Sequence, residues 1–526
     1  MSLGRAPSHQ DLFRTSADYC ASRLSATSIY ALLHRESHKL FPDEAFADLF
    51  EEVGRRSIPP RIVAVVMVLQ RLEGLSDREA VDRVTFDLRW KYAAGGLDYD
   101  YPGFVHTVLV DMRARLRRSD RPNRIFEAAL DVARSAGLVG RKRVLDSTAL
   151  YDAVATQDTV TLIRSAIRGL LRIAEAGLAT ELRGVCKRED DYVAPGKPAC
   201  DWDDEKAREA LIDALAQDAY ALLAVLDGRT LSPEVTQAAE LLATVVGQDL
   251  EAREDGVFRI ARRVAKDRVI STVDPETRHG HKTAARGFDG YKGHVAVDPD
   301  SEIITATDVT AGNAADGSVA ETLLFDVLVT ATKDPSSAPS EPTEVYGDAS
   351  YGTADLVEKI EAVGAEANVK VQAPSAQTGH FAKDAFDIDL DAQTVTCPAG
   401  VLVQIRKTPD GGGMASFAES CAVCLMRSRC TDAKEGRNVR IHPKEATLQR
   451  IRSRQSSPTW KQRYRATRPK VERKLAHLMF RRHGGRRARM RGCLRNRQDF
   501  ALLCAAHNLK RLAHLGIQRT GQSWSC

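Results

Sequence analysis

The chain reads as an α/β protein whose mixed-sheet core is interrupted by two insertions. Three observations lead there. Strand-like segments end in an acid at Asp146 and at Asp348, and strands and helices alternate between and after them. The residues before Asp146, and those from 156 to 250, keep the 3.6-residue apolar period of helices. A stretch with clustered cysteines then separates the last strand from a basic, helical C-terminal end.

Length and charge bound the reading. A chain of 526 residues exceeds one ordinary core, so roughly two to four domains are expected. The net charge of +5 is unevenly spread. From Arg450 to Arg497 the chain is dense in Arg and Lys, and Glu472 is the one acid in that run. Such asymmetry points to nucleic acid or another polyanion. No apolar run reaches membrane-spanning length. The first twenty residues carry charges and lack a continuous apolar core, so they do not read as a secretory signal. Ten cysteines, scattered except for one cluster, suit reduced thiols in a cytoplasm better than a disulfide framework.

In chain order, Asp43 is expected to cap a helix through Val53, with Gly54 as its stop. The apolar run Ile62 to Leu72 ends at Gly74, and Ser76-Asp77-Arg78-Glu79 is a capping box for the next helix. This helical hairpin fits either plain bundle packing or a DNA-binding helix-turn-helix variant. Helices follow at about 104–117 and 124–136, then a strand over Arg141–Thr148. Helices return at 156–250, with a loop at Cys186–Trp202. Strands are expected at Val269–Asp274, Phe288–Asp298 and Glu302–Thr307, with a turn-rich link over Pro275–Gly287. A helix at 314–331, a loop at Asp334–Pro342, a strand over Thr343–Asp348, a helix from Thr353 to Val363 and a strand over Asn368–Gln372 complete the core. The divisions are 1–138 (helical, DNA-binding), 139–155 (first core strand), 156–267 (helical insertion), 268–375 (core continued), 376–454 (Cys-containing insertion) and 455–526 (basic helix and C-terminal region).

The C-terminal segment deserves a residue-level reading. Tyr464, Arg468 and Glu472 are four apart and share one side of a helix, while Val471, Leu475 and Leu478 make an apolar stripe beside them. Glu472 then serves either a divalent metal beside a bound phosphate, or simple pairing with Arg468 or Lys474 on a solvated helix. Without its insertions, the element order is a three-strand meander followed by alternating helix and strand. That is the order of the RNase H-like fold, in which the ends of the first and fourth strands lie side by side and a late helix adds a third carboxylate.

At this point the chain resembles bacterial insertion-sequence DDE transposases with a Tyr-Arg-Glu-Lys signature. The matching segments are Val144–Thr148, Ser271–Pro275, Gly290–His294, Tyr346–Gly352 and Tyr464–Glu472, with Gly54–Trp90 and Asn508–Leu512 also similar. The resemblance implies a catalytic triad of Asp146, Asp348 and Glu472 holding Mg²⁺ or Mn²⁺. It also implies phosphate contacts from Tyr464 and Arg468. Arg468 stands four residues after Tyr464 where the signature has three, and Met479 occupies the place of the signature Lys, leaving Lys474 or Arg481 as substitutes. Lys292 is a further expected DNA contact. The implied partners are transposon-end and target DNA, with a homodimer in the synaptic complex and a cytoplasmic, nucleoid-associated bacterial setting. Two Mg²⁺ ions ~4 Å apart would activate a nucleophile, stabilise the leaving oxygen and neutralise the phosphate, so no protein nucleophile is required. Two other readings share these residues: a metal-dependent nuclease, and an inactive transposase-derived DNA-binding protein.

A second cluster comprises Cys397, Cys421, Cys424 and Cys430. The Cys-x₂-Cys pair suits structural Zn²⁺, and four reduced thiols in a small β insertion is the other reading. His279 and His281 fit a solvated or phosphate-contacting loop better than a metal pair. Asp274 fits a turn cap before Pro275.

Overall fold

The computed structural model describes residues 15–526 apart from 52, 53, 55, 153, 191, 195, 253–255, 262, 284, 285, 331–341, 378 and 522. The loop expected at Asp334–Pro342, apart from Pro342 itself, and the end of the helix expected to reach Val53 therefore lie outside the described residues. The fold is α/β, built on one mixed six-stranded sheet. Its strands are β1 (Lys142–Tyr151), β2 (Arg278–Thr283), β3 (Arg286–Val297), β4 (Ile304–Ala311), β5 (Glu344–Gly347) and β6 (Glu366–Val369). β3 lies between β1 and β4 and is antiparallel to both, while β5 and then β6 add in parallel on the other side of β1. The expected meander followed by parallel strands is thus present.

Alternation along β1 sends Val144 and Leu150 to one face and Leu145 to the other. The Val144 face shares one continuous core with the N-terminal helices and the C-terminal helices. At its centre stands α1 (Pro60–Glu73), every residue of which from Ile62 to Leu72 is buried. Next along the chain matter α2 (Pro458–Thr467), α3 (Pro469–Leu478) and α4 (Cys493–His514). α4 packs against both α1 and β4. A buried polar seam ties the two ends of the chain: Arg71 pairs with Asp499 at 3.1 Å and donates to the His483 carbonyl at 2.5 Å. The helical insertion holds a separate core drawn from Val160 to Leu250, and the Cys-containing segment holds another small one. Among the described residues, no helix is long and apolar enough to cross a membrane.

Several expected elements differ. The capping box at Ser76 and Glu79 forms, but Asp43 starts a 3₁₀ turn over Asp43–Leu49, because its carboxylate accepts from the Arg61 amide at 2.8 Å instead of capping. Val269–Asp274 is no strand. Its backbone is satisfied by side chains: Gln248 bonds both the N–H and the C=O of Val269, and Gln157 accepts from the Thr272 amide at 2.8 Å. The link that follows is a strand, β2, hairpin-paired to β3. The helix expected at 314–331 is broken into Asp316–Val319, Ala320–Leu323 and Phe325–Thr330. The last strand is shifted to Glu366–Val369.

The glycines of Gly290–His294 have structural reasons. Gly290 has φ +143°, and a Cβ there would lie 2.1 Å from the Leu150 carbonyl oxygen. At Gly293 a Cβ would lie 2.8 Å from the Phe500 ring, which seats α4 on the sheet. Gly290→Ala is therefore expected to destabilise the fold by about 3 kcal/mol or more, read as a lower chemical-denaturation midpoint. An unchanged midpoint would show that β1 and β3 do not pair closely there.

Candidate active site

Register brings the first two acids together. Val144 pairs with Tyr346 across β1 and β5, so Asp146 and Asp348 each stand two residues beyond one matched pair on neighbouring parallel strands. Asp146 is buried, with its Oδ1 accepting from the Ser147 amide at 2.8 Å. Asp348 follows the end of β5 and accepts from the Ser350 amide at 2.9 Å. The third acid arrives on α3, whose Val471, Leu475 and Leu478 sink into the core beside β1 and leave Glu472 exposed in the first turn.

One guanidinium joins all three. Arg468 lies 2.9 Å from Asp146, 3.6 Å from Asp348 and 3.6 Å from Glu472. Its side chain is 7% exposed. Arg468 sits at the joint of α2 and α3, just before Pro469. Proline has no N–H to continue the backbone ladder, yet Arg468 keeps αR geometry and donates to the Tyr464 carbonyl at 2.9 Å. The chain therefore stays helical through the joint, and Arg468 still reaches Glu472 one turn further on. Burial pushes the Asp146 carboxyl up, opposed by Arg468. Burial works against the Arg468 charge, but Asp146, with Tyr464 and Asp348, more than offsets it.

A polar layer surrounds the acids. Ser147 donates to Asp316 at 2.6 Å, and Lys292 pairs with the same carboxylate at 2.9 Å. His294 lies between the Tyr351 hydroxyl (3.1 Å) and the Thr310 hydroxyl (2.9 Å). Burial lowers the His294 pKa to about 4, so the ring is neutral near pH 7. Burial, and then the charges of Asp316, Asp146 and Asp348, hold the Tyr351 hydroxyl protonated. Tyr464 donates to the Gly347 carbonyl at 3.2 Å and stacks on Trp460 at 4.7 Å. Asp316, Tyr351 and His294 had no assigned role in the sequence reading. The one sequence signal for Asp316 is indirect: Lys292, which faces Ala149 on β1, needs a counter-charge.

The other expected contacts are spread apart. Arg468 turns inward to the acids, and Lys292 is held by Asp316 and the Ala314 carbonyl. Lys474 is buried, roughly 200° round the helix from Glu472. Arg481 is exposed in the short turn Arg481–His483. Met479 is a core residue. Many cations of the basic run meet acids from elsewhere: Arg450 pairs with Glu361, Arg463 with Glu344 and Glu366, Lys470 with Asp300, and Arg473 with Glu302. His279 and His281 sit on β2, with His279 bonded to Asp289 at 2.8 Å. They line an open groove of about 720 Å³ that Lys292 also borders. Asp274 is no simple turn cap: it is buried, accepts from the Tyr291 hydroxyl at 2.7 Å, and takes the Gly492 amide. Cys397, Cys421, Cys424 and Cys430 line a single cavity.

Three oxygen-donor carboxylates facing one cation are a donor set suited to Mg²⁺ or Mn²⁺. Among the described residues, though, no three His, Cys, Asp or Glu side chains are already drawn together as a metal centre. The guanidinium holds the carboxylates apart around itself.

Two outcomes follow from these charges. Arg468→Met removes the cation from a buried pair and leaves the acids unbalanced, so stability near pH 7 should fall by about 3–5 kcal/mol. Added Mg²⁺ should raise the thermal midpoint of this variant more than that of the parent; equal shifts would mean the guanidinium does not occupy the place a metal takes. Lys474→Met should stabilise. Burial lowers the Lys474 pKa to about 8. Below that pH the amine is charged in folded and unfolded chains alike, and folding bears the whole burial cost, at most about 3 kcal/mol. Above the ordinary lysine value both states are neutral and the cost disappears. The gain from methionine should thus be largest below pH 8 and shrink towards pH 10.5, as read by denaturation at each pH.

Residues 28–115 match a family described as transposase domain (DUF772), and residues 396–513 match one described as transposase DDE domain. The first covers the N-terminal helices around α1. The second covers the cysteine cluster, Glu472 and most of α4, and leaves Asp146 and Asp348 outside. No curated protein and no solved structure matches the chain. Together the two family matches indicate an insertion-sequence DDE transposase family, and with it a DNA transposase role.

Proposed function

We propose that the chain is a DDE transposase with an RNase H-like catalytic core, which cuts the ends of its element and joins the freed 3′-OH to target DNA. The observation that carries this reading is the meeting of Asp146, Asp348 and Glu472 at one guanidinium, within 3.6 Å. The sheet order, with β3 and β4 antiparallel on one side of β1 and β5 and β6 parallel on the other, supports the fold assignment.

In this reading Asp146, Asp348 and Glu472 would hold the divalent ions. Bound there, such ions supply an activated oxygen nucleophile and charge neutralisation at the phosphate. The chain's own residues do the rest. β1 fixes Asp146 through the Ser147 amide and the core beneath it. Glu472 is 62% exposed at its side chain, so it is the acid free to adjust when substrate arrives. Arg468, released from the carboxylates, is placed to meet a DNA phosphate bidentately. Tyr464 stays anchored to the Gly347 carbonyl and directs that arginine. DNA enters over the basic side of the molecule, and two copies of the chain pair the two ends in a synaptic dimer.

The test is cleavage of labelled DNA carrying the element's own ends, with Mg²⁺ or with EDTA. Asp146→Asn, Asp348→Asn and Glu472→Gln should each lower cleavage by at least about a hundredfold while DNA binding, followed by gel shift, persists. Joined products select transposase over nuclease. A wild-type chain that binds the ends and never cuts would instead support the inactive DNA-binding descendant, and cutting that survives Glu472→Gln would remove the helix from the site.

A further inference from the structure

The segment between β6 and α2 holds chemistry the DNA reaction does not use. It contains two three-stranded sheets whose strands, from Asp387–Asp389 to Asn438–Ile441, are two to four residues long. Its hydrophobic cluster buries Phe386, Val395, Ala415, Phe417, Val439 and Ile441, and two further members are Cys421 and Cys430. So small a core sits below what usually stabilises a separate unit, and nature commonly adds a staple at this size.

Four thiols can supply such a staple. Cys397 leaves the strand Thr394–Thr396, Cys421 and Cys424 come from the short helix Ala418–Ala422 and its end, and Cys430 follows the turn Arg427–Arg429. All four are free of disulfides and all four line one cavity of about 20 Å³. That volume accommodates a single water or ion and no larger ligand. A lone water is a poor occupant, because phenylalanine rings form much of the wall.

The donors around the thiols fit anionic sulfur. The Arg437 amide points to Cys421 Sγ at 3.5 Å, and Arg437 Nε is buried without a hydrogen-bond partner. Arg427 and Arg437 both border the cavity. Four thiolates around a dication carry a net charge of −2, which two guanidinium groups offset. The thiols ring the cavity without yet meeting as a metal cluster among the described residues. One χ1 rotation moves a cysteine sulfur by about 3 Å, enough to draw them onto a common centre.

We propose that Cys397, Cys421, Cys424 and Cys430 bind one structural Zn²⁺ that folds this segment. The strand Asn438–Ile441 is followed closely by the helix Glu445–Ser456 and then α2. The Glu445 carboxylate accepts from the His442 amide at 3.0 Å and is paired with Lys383. The ion therefore fixes the segment from which the Glu472 helix departs. This inference stands whether or not the chain cuts DNA.

The test measures metal directly on the full chain, purified without chelator. Elemental analysis should find about one zinc per chain. Cys424→Ser, at a half-buried position, should lower that content several-fold, while Cys493→Ser, outside the cluster, should leave it unchanged. Should the cluster variant fail to fold, growth of the wild type with Co²⁺ gives a second readout: thiolate-to-cobalt charge-transfer bands together with the d–d bands of a tetrahedral site. Folded wild-type protein with no bound zinc and no such bands, or with the four cysteines oxidised to disulfides, overturns the proposal. Zinc retained in full by the Cys424 variant does the same.

Discussion

Three acids aimed at one spot repel each other, and the structure depends on how that repulsion is met. Asp146 and Asp348 lie at matched positions on neighbouring strands, and α3 adds Glu472. Without a cation among them the acids would be pushed apart or would take up protons. Arg468 answers this from the joint between α2 and α3. Its position is constrained on two sides: the apolar stripe of α3 must reach the core under β1, and the guanidinium must reach all three carboxylates. Pro469 stands at the first position of α3, where its missing amide is not needed by the new helix.

The helical insertion leaves this centre intact because it is closed on itself. The helical insertion departs near the end of β1 and returns just before β2, and its core is separate. Its two stems are clasped by Gln157 and Gln248, which bond the backbone of Val269, Ile270 and Thr272. A loop whose ends are already held together costs little further entropy however long it grows. The N-terminal helices differ: they share their core with the sheet and with α4, and the Arg71–Asp499 pair lies within the shared seam. The two transposase family matches, one near each end of the chain, thus fall on parts that pack together.

What the sequence made legible was local chemistry with a strong signature. The Ser76 capping box, the Gly74 stop, the apolar run of α1 and the strand leading to Asp348 form where side-chain pattern places them, whereas β1 does not end at Asp146 and Thr148 but runs on to Tyr151, paired along its length with β3. Failures came where tertiary partners decide. Val269–Asp274 has strand composition, yet glutamine side chains took its hydrogen bonds. β2, rich in Gly, His and Lys, lacks strand composition and is held by β3. Asp43 looks like a helix cap, but its carboxylate serves the Arg61 amide, and Asp316, inside an expected helix, serves Ser147 and Lys292. For the site, spacing placed Tyr464, Arg468 and Glu472 on one side of a helix; that the guanidinium would turn inward to the acids could not be read from it.

Charge shows the same limit and where it matters. In one dimension, Arg450 to Arg497 is a field of cations with a single acid. In three dimensions the first half of that run is largely answered by Glu344, Glu361, Glu366, Asp300 and Glu302. The contrast comes further on. Arg495 lies close enough to Arg117 to lower its pKa after burial has done so, with Arg113 and Arg118 adding to the effect. Arg113, Arg117, Arg489 and Arg495 border one groove on the seam between the N-terminal helices and α4, where Asp77 answers Arg113 and the guanidinium groups still outnumber the acids. Crowded guanidinium groups are costly in an isolated chain, and a polyanion offsets that cost when it binds. The basic tract therefore divides by physical role: its early part ties the Glu472 helix and its neighbours to acids of the sheet, and of its later part Arg497 meets Asp308 while Arg489 and Arg495 crowd the groove beside Arg117.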